Sequence, residues 1–168
     1  DQAARSSAIF SYYSGTELEM PMMIPSEYLR YYEYYIASYY RPEIALRVLE
    51  SVIGKKVFLE ALQTFTHDWS KKHPSPYDFF YTFETVSGKD LTWFWEPWFF
   101  QHGYPDLALE NAEVKRNKVS FRVRKKGRLP VPVRIVITNQ QNEQTVIVES
   151  AEIWKNNDVY SVKTKFKG

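Results

Sequence analysis

SYYRPEIALRVLESVIG, residues 38–54, decides how the rest of the chain is read. Pro42 suits the first turn of a helix, where a missing N–H costs nothing. Ile44, Leu46, Val48, Leu49, Val52 and Ile53 then recur with helical spacing and form a broad apolar face. Gly54 stands where a left-handed cap would close the helix. Two tyrosines, Tyr39 and Tyr40, stand just before the start. A phenol is neutral at pH 7, with an ordinary pKa of about 10. At the mouth of a buried helix it supplies a fixed O–H donor to a cleft.

Upstream, DQAARSSAIFSYYSG reads as a short helix ending at Gly15, and TELEMPMMIP as a loop broken by Pro21 and Pro25. Ser26 is the expected N-cap of the next helix, SEYLRYYEYYIASYY. Its Tyr28, Tyr31, Tyr32, Tyr35 and Tyr39 share one side at three- and four-residue steps. They read as a buried stripe whose last member, Tyr39, reaches a cleft. Downstream, KKVFLEALQTFTHDWSKKH is a helix with Val57, Phe58, Ala61, Leu62, Phe65 and Trp69 on its buried face, stopped by Pro74. YDFFYTFETVSG is a shorter helix closed at Gly88. Asp90 then caps LTWFWEPWFFQHG, closed at Gly103, with Pro97 expected to kink the run or restart it.

SYYRPEIALRVLE resembles the segment around the catalytic tyrosine of zinc aminopeptidases of the aminopeptidase N type, the gluzincin aminopeptidases. Their pattern is Ser-Tyr-x-Lys-Gly-x-x-x-Leu-Arg-x-Leu. Its tyrosine falls on Tyr39, its lysine on Arg41 and its last four residues on Leu46, Arg47, Val48 and Leu49, while Pro42 replaces the usual glycine. Further on, His73, Pro74, Asp78 and Phe79, then Ser87, Gly88, Asp90 and Leu91, then Trp93 or Trp95 with Trp98, follow the same family's order. In the family these residues are loops, caps and core rings that carry the tyrosine. The resemblance covers about residues 26 to 110.

From Leu107 the period changes from 3.6 to 2. LALENAEVKR, KVSFRVRKK, VPVRIVITN, QTVIVESAEIW and VYSVKTKF read as strands, separated by turns at Arg116-Asn117, Gly127 to Pro130, Gln140 to Glu143 and Asn156 to Asp158. The fold class expected is therefore α+β in two parts. Residues 1–106 form an all-α region, by resemblance the C-terminal half of a thermolysin-like catalytic domain. Residues 107–168 form a small antiparallel immunoglobulin-like β-sandwich, whose last strand is not evident.

Composition excludes more than it selects. With 44% hydrophobic and 25% charged residues the chain can bury a core. Aromatic residues reach 17%, a share that fills cores and lines half-wet clefts. A net charge of +2 is too small to imply nucleic acid or an anionic membrane. The basic run Lys115 to Arg128 reads as the solvent face of an edge strand. No run of about 18 apolar residues predicts a membrane span, and no secretory signal is evident in the sequence; the start at Asp1 rather than Met points to a processed protein or a piece of a longer one. The absence of cysteine rules out disulfides and thiolate metal sites. An extracytoplasmic or periplasmic place in a bacterium is favoured, though no motif fixes it.

The family's reaction needs zinc, held by the two histidines of His-Glu-x-x-His and a later glutamate. That motif is absent. His67, His73 and His102 have no ligand spacing and read as exposed, loop and helix-end residues. The resemblance thus implies a fragment of a zinc-dependent aminopeptidase that hydrolyses N-terminal peptide bonds. It contributes the oxyanion-stabilising Tyr39 but no zinc ligand, and alone it is expected to be inactive. Tyr40 is the alternative register. The implied partners are the rest of the catalytic domain and, in the parent protein, a peptide substrate. A non-catalytic interaction module of helices plus an immunoglobulin-like domain is the first rival. A carbohydrate-binding module is the second, and it requires solvent-facing tryptophans.

Overall fold

Pro42 lies inside a continuous helical path, in the first turn of α3 (Arg41–Ile53), which runs on from α2 (Tyr31–Tyr35) through a π-helical turn at Ile36–Tyr40. In that turn the Arg41 N–H donates to the Ile36 carbonyl, five residues back. An α-helical proline ring clashes with the carbonyl four residues earlier. Here that carbonyl belongs to the widened turn, so the helix survives the proline. Tyr39 and Tyr40 therefore sit within a helix and not ahead of one. The path also starts later than Ser26. Ser26–Tyr28 is one 3₁₀ turn, and the Glu33 carboxylate takes the Arg30 N–H at 2.7 Å to open α2.

The computed structural model describes residues 2–116 and 118–165. The architecture is α+β, divided into one compact unit of residues 1–102 and another of 103–168. In the first, α1 (Gln2–Tyr13) packs on α3. The Ser6 hydroxyl donates to Glu43 across that contact. α4 (Lys55–Trp69) follows the positive-φ Gly54 and packs on α5 (Pro76–Ser87). It stops at Trp69, five residues before Pro74. The Ser75–Asp78 capping box opens α5, and Gly88, at φ 64°, closes it. α6 (Thr92–Trp95) continues into a second π-helical segment, Glu96–Phe100, around Pro97. The core is aromatic: Phe58, Phe80, Phe83, Phe94, Trp95 and Trp98 are all buried.

One buried cation organises this unit. Arg41 is 0% exposed. The Glu96–Phe100 segment ends without a following turn to use its last carbonyls, which need donors from elsewhere. Arg41 donates through Nε to Trp98 O at 2.9 Å, and through Nη2 to Pro97 O at 3.0 Å and Gln101 O at 2.7 Å. The Met23 N–H donates to Phe99 O at 2.9 Å. Buried Glu19 lies 3.5 Å from Arg41 Nη1 and accepts the Gly15 N–H at 2.7 Å. Burial pushes the Arg41 pKa down to about 10, against the pull of Glu19, so the guanidinium stays charged at neutral pH.

The second unit holds two antiparallel sheets: β1 (Leu107–Lys115), β2 (Lys118–Lys125) and β5 (Val159–Lys165) in the order β1-β2-β5, and a β3–β4 pair (Val133–Thr138, Gln144–Glu149). Val119, Phe121 and Val123 alternate inward on β2, and Val162 pairs with Phe121. Because β2 is central, the basic run does not mark an edge strand. Several of its charges are paired locally, Arg124 with Glu110 at 2.8 Å and Lys125 with Asp158 at 2.9 Å. AEIW forms a 3₁₀ turn, Ala151–Trp154, instead of prolonging β4. The Asn139 side chain accepts the Gln141 and Glu143 N–H groups and builds the β3–β4 turn. Of the expected turn Arg116-Asn117 and strand VYSVKTKF, Asn117 and Phe166 lie outside the described residues.

Arg41→Ala is expected to destabilise the helical unit by about 3–5 kcal/mol, because it strands a buried carboxylate and three carbonyls. Arg41→Lys should recover only part, since an ammonium lacks the planar fork that serves several acceptors. Denaturant titration of the full chain followed by helical circular dichroism measures both. A lysine variant as stable as the parent sequence would show that charge alone suffices.

Candidate functional site

The π-helical turn carries the sequence-predicted Tyr39, and such turns recur at functional sites. Tyr39 is 55% exposed. Its ring meets Tyr34 edge-on at 6.0 Å between centroids and tilts over Tyr35 at 5.7 Å. Tyr31 extends the array, 5.0 Å from Tyr35, and Tyr32 faces Tyr13 across from α1. The stripe expected to be buried is thus an exposed phenolic wall. Of the tyrosines in α2 and the π turn, only Tyr40 is half-buried. Tyr28 stands apart in the 3₁₀ turn.

A cavity of about 360 Å³ opens between α1 and this wall, lined by Ile9, Tyr13, Tyr31, Tyr32, Tyr35 and Tyr40, with Ile36 behind them. Tyr40, the alternative register, faces it. Tyr39 does not line it and lies beside its Tyr35 edge. The side-chain hydrogen bond with Tyr39 is the largest cause raising the Tyr34 pKa, and the one with Tyr31 raises that of Tyr35. A phenol that gains a partner in its neutral form holds its proton more tightly in the folded state. That contribution is complete below the ordinary value of 10.0 and disappears as pH rises through the raised one.

The histidines do not converge. His67 is exposed against Asp68, His73 is exposed in a loop, and His102 donates from Nδ1 to the Glu19 carbonyl at 2.9 Å. Among the described residues no three His, Asp or Glu side chains gather as a metal ligand set. Trp95, Trp98 and Trp154 are buried, and Trp69 and Trp93 are half-buried, so no tryptophan is fully solvent-facing. No helix among the described residues is long and apolar enough to cross a membrane. Sequence reasoning missed Arg41, treated as a mere substitute for lysine. Its signal was a cation between apolar neighbours at the start of a helix.

No family model and no curated protein matches the chain. Among solved structures, the fold is similar to that of Legionella pneumophila aminopeptidase A, crystallised in complex with aspartic acid. The TM-score is 0.61 at 20% identity, covering 79% of this chain and 16% of that one. The likeness is one of fold, and the chain spans only that small share of the aminopeptidase's length.

Tyr39→Phe should return the Tyr34 titration toward its ordinary value while leaving Tyr35 raised by Tyr31. Ring-carbon NMR across an alkaline titration resolves the two. An unchanged Tyr34 would mean that the wall is not hydrogen-bonded as described.

Proposed function

We propose that this chain is the tyrosine-bearing part of a zinc-dependent aminopeptidase related to the aminopeptidase N type, acting on N-terminal peptide bonds together with chain it does not itself contain. The observation that carries this reading is the SYYRPEIALRVLE segment. It is supported by a fold similar to that of an aminopeptidase. On this reading residues 1–106 are the C-terminal half of the catalytic domain, and residues 107–168 belong to an immunoglobulin-like module.

The donor set present does not fit a zinc ion, so no step runs through a metal on this chain. The role assigned here is narrower. Tyr39 donates its O–H to the oxygen that gains negative charge when water adds to a peptide carbonyl. The phenol is exposed, and its neighbours restrict where the ring can lie. A fixed donor aimed at developing charge acts on the transition state more than on the bound substrate.

In the full-length parent, Tyr39→Phe should lower kcat on the order of a hundred- to a thousand-fold with KM little changed. Tyr40→Phe should keep most activity. A large loss at Tyr40 with none at Tyr39 would move the role to the cavity-lining phenol. Loss at neither, in a zinc-containing parent, would leave the segment a structural likeness.

The 168-residue chain alone should hold no stoichiometric zinc and cleave no aminoacyl substrate. Elemental analysis of untagged protein and an aminoacyl amide assay measure both. One tightly held zinc per chain would refute the assignment of the ligands to absent sequence. The rival, a non-catalytic interaction module, draws on the same exposed tyrosine wall. A parent sequence without His-Glu-x-x-His would favour it.

A further inference from the structure

A second concavity lies in the helical unit, lined by residues other than those of the tyrosine wall. It is a groove of about 330 Å³ between α5 and the Thr92–Phe100 run. Its floor is a stacked pair, Phe80 and Trp95, with centroids 4.7 Å apart and planes 25° apart. Both floor rings are buried. Its walls are wet: Tyr77 is 51% and Tyr81 63% exposed, and Phe100 stacks on Tyr77 at 6.2 Å and 27°.

The charge lining this groove has one sign. Glu84 from α5 and Glu96 from the π-helical segment border it, and no basic side chain does. Each carboxylate uses one oxygen locally, Glu84 Oε1 for the Leu91 N–H at 3.0 Å and Glu96 Oε1 for Gln101 Nε2 at 2.8 Å. Among the described residues neither carboxylate has an ion-pair partner. Trp95 also carries a buried indole N–H that has no acceptor among the described residues. Buried polar atoms are rarely left so.

We propose that this groove receives an arginine side chain carried on an extended peptide segment of a partner protein. Aromatic faces attract a cation through the ring quadrupole, and a guanidinium does so best because it is planar and weakly hydrated. The two glutamates complement its charge and accept its N–H groups. A neutral apolar ligand would cover both carboxylates without pairing them, at a desolvation cost. An anion would be repelled.

The test uses the 168-residue chain and a short blocked peptide, acetyl-Gly-Arg-Gly amide, followed by proton–nitrogen NMR. Its citrulline counterpart keeps the shape and removes the charge. The arginine peptide is expected to shift the Trp95 indole N–H and the amides around Tyr77 and Tyr81, with affinity at least tenfold above the citrulline peptide. Glu84→Gln with Glu96→Gln retains both local acceptors and should reduce that affinity at least tenfold. Tyr81→Ala, at an exposed position, should weaken binding while the spectrum stays folded. Equal shifts with citrulline, or none with arginine in a folded protein, would overturn the proposal. Concentration-dependent shifts of the same residues without peptide would overturn it in favour of a second copy of the chain.

Discussion

A helix that stops inside a protein leaves carbonyls that water cannot reach, and in the helical unit one side chain meets that requirement. Arg41 sends three hydrogen bonds to carbonyls at the end of the Glu96–Phe100 segment and faces Glu19 in the long loop before α2. The loop reaches the same helix end through Met23. Residues 56 to 60 positions apart in sequence are thereby fixed to each other. A buried charge without partners would cost more than the fold could spare. Loop, π-helical segment and helix start therefore form together or not at all. Tyr39 and Tyr40 are the two residues before this cation, so whatever they do, their backbone is held by it.

Much of the helical unit was legible because local rules and burial agree there. Gly54 and Gly88 end helices at positive φ, and Val48, Leu49, Val52 and Ile53 are buried as their spacing requires. What was not legible is non-local. Pro42 and Pro97 read as starts or breaks, but each is absorbed by a π-helical turn. The acceptors that hold the first of these turns in place lie far along the chain. Ser26 resembled a cap, yet the path begins at Tyr31, because Glu33 reaches back to the Arg30 N–H.

The candidate site was read less well than the fold, for a related reason. Periodicity puts tyrosines on one side of a helix but does not say what covers that side. The stripe is exposed, and the phenols pair with one another. The inserted residue of a π-helical turn also changes which of two neighbouring rings faces a cavity, a choice that α-helical spacing cannot give. In the β unit, alternation found the strands, while strand order, which makes β2 central, depends on pairings that a run of basic residues does not encode.

The π-helical turn at Ile36–Tyr40 also acts as a phase shifter. A wider turn holds roughly one more residue than an α-helical one, so the faces of α2 and α3 are offset by about 100° relative to an uninterrupted helix. Removing one residue from this turn would relax the backbone into regular geometry and leave α3 unchanged. Every tyrosine of α2 would then rotate away from its present side. The extra residue in the turn is what allows a wet phenolic wall and a dry apolar face to share one helical rod.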